Sequence, residues 1–304
     1  MSGSLVRVLS LPVATHEMYG VFSPDRLRLL TGGDGANPEV HIWDVETGRS
    51  LRDFKGHKQP IAALAWTEDQ RLVASGAFDQ DVRVWEVASA ECLCVLAGHQ
   101  SYIRSVTFSR SRERVLTGSG DGVVRLWDIA TGKMLQQFEG HRDGIYHAVF
   151  DSDETRVLSG GRDRSIRLWN VSTGHCVRTI QGRGAHVQCL AWHSDQCRFL
   201  SCAADIRLWD SETGECLHVY EGHTDTIRSV VWSHDGREIL SASHDGTVRI
   251  WESETGRCTA VLSGHEACVV NAVWTVDRQS VLSCDSDGGL RAFFVSERLP
   301  IPGE

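Results

Sequence analysis

Four sets of a histidine, a hydroxyl residue, an aspartate and a tryptophan recur at fixed offsets: His57, Ser75, Asp79, Trp85; His99, Thr117, Asp121, Trp127; His141, Ser159, Asp163, Trp169; and His223, Ser241, Asp245, Trp251. Within each set the aspartate follows the hydroxyl by four residues and precedes the tryptophan by six. Hydroxyl, imidazole and carboxylate are the groups of a hydrolase triad, so acyl transfer is the first chemistry to weigh. A nucleophile needs one exposed hydroxyl beside an oxyanion site, and a triad is recognised by geometry and role rather than by residue types. Here the set is copied again and again, with each hydroxyl inside a strand-like apolar run. These groups are better suited to satisfying one another in the interior than to attacking a substrate. Neither Gly-x-Ser-x-Gly nor a glycine-rich phosphate loop with Lys-Ser/Thr occurs, so no enzyme activity and no cofactor is expected.

The tryptophans belong to a longer series. Trp43, Trp85, Trp127, Trp169, Trp209 and Trp251 are separated by 42, 42, 42, 40 and 42 residues, and Phe293 follows 42 further on. A period near 40 marks a supersecondary unit that cannot bury its own apolar face and must stack on its neighbours. No Pro/Ser-rich linker, charge run or low-complexity stretch interrupts the series, so residues 1–304 are expected to form a single domain. The sixth unit shows the parts most clearly: TIRSVVW (226–232), EILSAS (238–243), TVRIW (247–251) and CTAVL (258–262), separated by turns such as Ser233-His234-Asp235-Gly236 and His244-Asp245-Gly246. Four antiparallel strands per unit are expected.

Gly-His recurs at 56–57, 98–99, 140–141, 222–223 and 264–265, and Trp-Asp or Trp-Glu at 43–44, 85–86, 127–128, 209–210 and 251–252. On these motifs the chain resembles the WD-repeat (WD40) β-propellers over essentially its whole length. The resemblance implies an all-β, seven-bladed propeller of four-stranded blades. It also implies the roles in the tetrads: indole N–H to hydroxyl, hydroxyl to imidazole, imidazole to carboxylate. The last unit offers no fourth strand after Gly289 to Phe294, while a surplus strand, residues 4–9, precedes the first unit. An open ring would leave unpaired edges, so this strand is expected to complete blade seven. Units one and five depart from the pattern. Unit one inserts two residues before Trp43 and lacks Gly-His, and unit five has Gly182-Arg183 and is two residues short before Trp209, so these blades are expected to be the least rigid.

Net charge −9 and a pI near 5.9 argue against a general affinity for nucleic acid, which rests on Lys/Arg neutralising phosphates. Leu5 to Leu9 is too short for a signal peptide, and no run of about 18 apolar residues could span a membrane. A cytoplasmic protein is expected, with the nucleus open to it. Of ten cysteines, Cys92, Cys176, Cys216 and Cys258 share one column, and no Cys-x-x-Cys exists; reduced, mostly buried thiols are expected. His186, Cys189, His193, Cys197 and Cys202 crowd unit five, but alternate strand residues diverge and no tight ligand pair anchors them, so no metal is expected.

Repetition supplies an internal control. Recurring columns are scaffold, and the arginine two residues before the Trp (83, 125, 167, 207, 249, and 291 before Phe293) reads as structural despite its charge. In WD-repeat proteins the loop entering the first strand and the turn carrying the Asp surround one mouth of the central channel, and on that resemblance three varying columns face a partner. They read His16, Pro60, Tyr102, Gly144, His186, Thr226, Cys268; then Met18, Ala62, Arg104, Tyr146, Gln188, Arg228, Val270; then Phe78, Gly120, Arg162, Ala204, His244, Ser286. Tyr102, Arg104, Tyr146, Arg162 and Arg228, with Phe78, His16, His186 and His244, are therefore the candidate binding residues. Tyr and Arg are enriched at interface hot spots, and grouped guanidinium groups favour carboxylates or phosphates. The expected function is a non-catalytic scaffold or adaptor binding a protein or peptide, an acidic one by the arginines, as a monomeric propeller within a larger assembly. A regulatory or sensor subunit of an enzyme complex is the alternative, and a hydrolase with its active site in the mouth is the weakest reading. A Phe-Arg-Arg-Gly lipid motif and a Trp-Asp-x-Arg box are both absent.

Overall fold

In the computed structural model, residues 4–11, 19–33, 36–182 and 184–295 are described. His16 and Met18 of the rim columns, Asp34 of the unit-one loop and Arg183 lie outside them. The described residues form 28 strands in seven four-stranded antiparallel sheets, and no helix. Each sheet is a meander whose strand order in space follows the sequence, as in blade three: Ile103–Phe108, Arg114–Ser119, Val124–Asp128 and Met134–Phe138. Blade seven is the exception. Val269–Trp274, Ser280–Asp285 and Gly289–Phe294 are completed by Ser4–Ser10, with Ser10 opposite Gly289 and Ser4 opposite Phe294.

No blade has a core of its own. Leu30, Val40, Ile42 and Phe54 of blade one pack with Ile61, Val73 and Trp85 of blade two, and the same kind of cluster recurs between every neighbouring pair. The seventh cluster joins Val273, Cys284 and Leu290 of blade seven to Phe22, Leu29 and Trp43 of blade one and closes the ring. Sheets pack this closely only where bulk is removed. A Cβ on Gly76 or Gly160 would lie 2.3 Å from Ile103 or 2.5 Å from Val187 of the next blade.

The Asp of the Trp-Asp pair serves the turn into the fourth strand. Asp128 Oδ1 accepts from the Thr131 backbone N–H at 2.8 Å and its hydroxyl at 2.5 Å, and Asp44 and Asp210 do the same with Thr47 and Thr213. The thiols depart from expectation. Only Cys202 and Cys284 are buried, whereas Cys92, Cys176 and Cys216 are exposed because the shared cysteine column opens the outermost strand of its blade, and Cys197 is exposed on the turn before Arg198–Cys202.

Candidate functional site

In blade two the Trp85 indole N–H donates to Ser75 Oγ at 2.9 Å, His57 Nε2 meets the same oxygen at 2.8 Å, and His57 Nδ1 lies 3.0 Å from Asp79 Oδ2. Blades three, four and six repeat the arrangement through Thr117, Ser159 and Ser241. All four hydroxyls are completely buried. Each already accepts an indole proton and meets an imidazole, so none of these four hydroxyls is presented to a substrate. Burial pushes the imidazoles of His99, His141 and His223 below the usual range, against the pull of their aspartates. Burial works to raise the carboxyls of Asp79, Asp121, Asp163 and Asp245, yet hydrogen bonds from imidazole, hydroxyl and backbone N–H groups outweigh it and hold them low, Asp245 at about 2.

The lock varies in three blades. Trp43 reaches Thr31 and Trp209 reaches Ser201, both at 2.8 Å, although twelve and eight residues separate donor and acceptor instead of ten. Blade seven keeps a triad that the fixed spacing missed. His265 lies 2.6 Å from Ser283 Oγ and 2.6 Å from Asp285, two residues after the hydroxyl rather than four, and Gly289 N–H donates to the same carboxylate at 2.6 Å. The recurring glycine before the histidine has a steric reason: Gly222 has φ 150°, and a Cβ there would sit 2.7 Å from Arg249 and 3.2 Å from Trp251.

The arginine column is structural in more than one way. Arg83, Arg167 and Arg249 lay their guanidinium groups over Trp85, Trp169 and Trp251 at 5.8–5.9 Å, Arg125 pairs with Asp121 at 2.7 Å, and Arg207 pairs with Asp205 at 2.5 Å.

The second rim column coincides with a register shift early in the first strand of five blades, beside Ala62, Arg104, Tyr146, Arg228 and Val270. A bulge releases one side chain from the alternation of the sheet and re-aims it, here into the channel. Arg104, Tyr146, Gln188 and Arg228 line a channel cavity together with Tyr19, a residue that the column reading passed over. Tyr19 joins the two arginines: the Arg104 and Arg228 guanidinium carbons lie 5.5 and 5.6 Å from its ring centroid, and Arg104 also lies 4.9 Å from Tyr146. Arg228 donates to Gln188 Oε1 at 3.0 Å. Among the described residues no carboxylate forms an ion pair with Arg104 or Arg228.

The remaining candidates spread outward from this centre. Phe78 stacks on Tyr102 at 5.0 Å, and Tyr146 meets His186 edge-on at 6.0 Å. His186 Nδ1 lies 2.7 Å from the Arg162 carbonyl oxygen. Half-buried His244 is pushed below the usual histidine range by burial and by Arg228 and Arg104. Arg162 stands apart: it is exposed, lies 3.7 Å from Asp143, and is not among the residues that line the cavity. No cluster of three metal-ligating side chains occurs among the described residues.

Three partial likenesses to curated proteins fit this architecture. The chain is 30% identical to Meiotic fizzy-related protein 1 of Schizosaccharomyces pombe over 26% of its own length and 18% of the relative's. It is 40% identical to Pre-mRNA-processing factor 19 of Oryza sativa over 19% of itself and 11% of that protein, and 40% identical to Pre-mRNA-processing factor 17 of Saccharomyces cerevisiae over 19% and 13%. The chain thus spans less than a fifth of each. The WD domain, G-beta repeat family matches far more: residues 48–86, 90–128, 132–170, 174–210, 214–252 and 256–293. With these six repeats covering most of the sequence, and the tryptophan, histidine and aspartate columns each accounted for in a closed ring of blades, the chain belongs to the WD domain, G-beta repeat family.

Proposed function

We propose that the chain is a non-catalytic interaction scaffold, one domain over residues 1–304, whose channel mouth binds an acidic segment of a protein partner. The observation that carries this reading is the pair Arg104 and Arg228, bracketing Tyr19 with no carboxylate of the described residues ion-paired to either. In a chain of net charge −9, two such guanidinium groups favour an external carboxylate or phosphate. Tyr102, Phe78, Tyr146 and His186 add aromatic surface around them, and His244 and the exposed Arg162 extend the rim. An acidic peptide would displace water from the rings while pairing with the arginines. Membership of the family supports a scaffold rather than an enzyme, and the names of the relatives, two of them pre-mRNA-processing factors, support work inside a larger assembly in cytoplasm or nucleus. No helix of the described residues is long and apolar enough to cross a membrane.

A displayed peptide library panned on the full chain tests this. Enrichment of Asp/Glu-rich sequences is expected, with capture lost in Arg104→Glu/Arg228→Glu and weakened as salt rises, because partly exposed pairs are screened over about 8–10 Å. Arg162→Glu, outside the central pair, should have a smaller effect. Enriched peptides without acidic residues, or acidic ones retained by a folded double variant, would overturn the reading.

A further inference from the structure

Blade five has Arg183 where the lock has its histidine, its Asp205 pairs with Arg207 instead, and its first two strands carry a pair of facing thiols found in no other blade among the described residues. Cys189, in the first strand Cys189–Trp192, lies directly opposite Cys202 in the second strand Arg198–Cys202. Both side chains face blade six: Cys202 Sγ donates to the Ile227 carbonyl at 3.3 Å, and Cys189 Sγ lies 4.0 Å from the Val230 carbonyl. Residues directly opposite in an antiparallel pair have Cα atoms about 4.5–5.5 Å apart, within the roughly 4.4–6.8 Å span of a disulfide. The other cysteines have no such partner. Cys92, Cys176, Cys216 and Cys258 are each in register with a tryptophan, and Cys284 with Asn271.

Cys189 is half-buried and lines the channel cavity of about 170 Å³, so a small oxidant has a route to it, while Cys202 behind it is fully buried. His147 of blade four lines the same cavity. We infer that Cys189 and Cys202 are a redox-active dithiol, which a hydroperoxide entering the channel converts into a disulfide within blade five. The inference stands apart from the reading of the mouth as a peptide site.

The two thiols divide the work. Cys189 opens on the cavity, and the neighbouring Cys202 sulfur lowers its thiol against the effect of burial, with His147 adding to the shift, whereas burial raises the enclosed Cys202. Cys189 is therefore the attacking thiolate and Cys202 the resolving thiol. The Cys189 thiolate attacks the hydroperoxide, the O–O bond breaks, and a sulfenic acid forms while the departing alkoxide or hydroxide takes a proton. Cys202 sulfur then attacks the sulfenic sulfur; the S–O bond breaks, its oxygen leaves as water with the Cys202 proton, and the S–S bond forms. Two thiols lose two electrons, and one hydroperoxide becomes an alcohol, or water, plus water.

The repeat supplies benign substitutions. Blade six carries Ser229 where blade five has Cys189, and Ala242 where it has Cys202, in the same register. The experiment treats reduced full-length chain with substoichiometric hydrogen peroxide, alkylates the remaining thiols and maps peptides by mass spectrometry. A dithiothreitol-reversible Cys189–Cys202 cross-link is expected before oxidation of the exposed Cys92, Cys176, Cys197 or Cys216. Cys202→Ala should leave Cys189 as a dimedone-trapped sulfenic acid, labelled several-fold above Cys216, and Cys189→Ser should leave Cys202 unoxidised. Cys189 and Cys202 both still alkylatable after the exposed thiols have reacted, or Cys189 oxidised to sulfinic acid without a cross-link, overturns the inference. The wild-type map decides the matter even if a variant fails to fold.

Discussion

Asp121→Ala in blade three should be far more damaging than Asp163→Ala in blade four, although the two aspartates hold the same place in the repeat. Asp121 Oδ2 accepts from His99 at 3.0 Å, from the Gln100 backbone N–H at 3.0 Å and from Arg125 at 2.7 Å, and Oδ1 accepts from Val123 N–H at 3.0 Å. Arg125 is only 7% exposed and also lies against His99 Nδ1. Removing the carboxylate strands a buried guanidinium, for which about 3–5 kcal/mol is the usual loss. Asp163 serves His141, the Arg142 backbone N–H and Ser165, but no arginine, since Arg167 of that blade lies over Trp169. Its loss orphans neutral donors and costs about 1–3 kcal/mol. Urea midpoints measure the difference: with a slope of about 2–3 kcal/mol/M, Asp121→Ala should fall by about 1.5 M and Asp163→Ala by about half as much or less. Adding Arg125→Leu to Asp121→Ala should recover part of the loss, because the unpaired charge goes with it. Equal midpoints, the reverse order, or a double variant weaker than Asp121→Ala would refute the account of the lock.

Three further outcomes follow from the same geometry. Deleting residues 4–10 exposes the edge Gly289–Phe294, so the melting temperature should drop and the protein aggregate, as light scattering during a thermal ramp would show. Arg83→Glu with Arg167→Glu removes two guanidinium groups from tryptophan faces and should cost about 0.5–2 kcal/mol per site in chemical denaturation. Because His99, His141 and His223 protonate less readily folded than unfolded, their contribution is complete above pH ~6.5 and is lost as pH falls through their lowered values, so melting temperature should decline below pH ~6.5 and His99→Asn should flatten that decline.

The period, the blade count and four locks were legible in the sequence because they depend on spacing, and spacing survives where one loop geometry is reused. Blade seven shows the limit: a turn that brings Asp285 rather than Asp287 under His265 changes no residue type, only the path of the backbone. The channel centre was half legible. Arg104, Tyr146 and Arg228 stood out as non-repeating, but their direction depends on bulges, which leave no mark in composition, and Tyr19 fell one place outside the column. Arg162 shares their chemistry but not their place, since a side chain on the turn is held by its own local carboxylate, Asp143. Cys92, Cys176 and Cys216 were misjudged because an outer strand has one wet face whatever its composition.

The pairing of Ser4–Ser10 with Gly289–Phe294 gives this chain an unusual timetable. Leu9 pairs with Leu290, so Ser4–Ser10, once made, waits for a partner 281 residues downstream, a delay of roughly 15–55 s at about 5–20 residues per second of synthesis. Each new blade can bury one face on its predecessor as it emerges, but the first face of blade one has to wait for blade seven. Assembly is therefore sequential until its final step, when a nearly complete ring must close at once. During that interval a second nascent chain offers the same complementary edge, so the balance between ring closure and domain-swapped association should depend on how crowded the ribosomes are on the message.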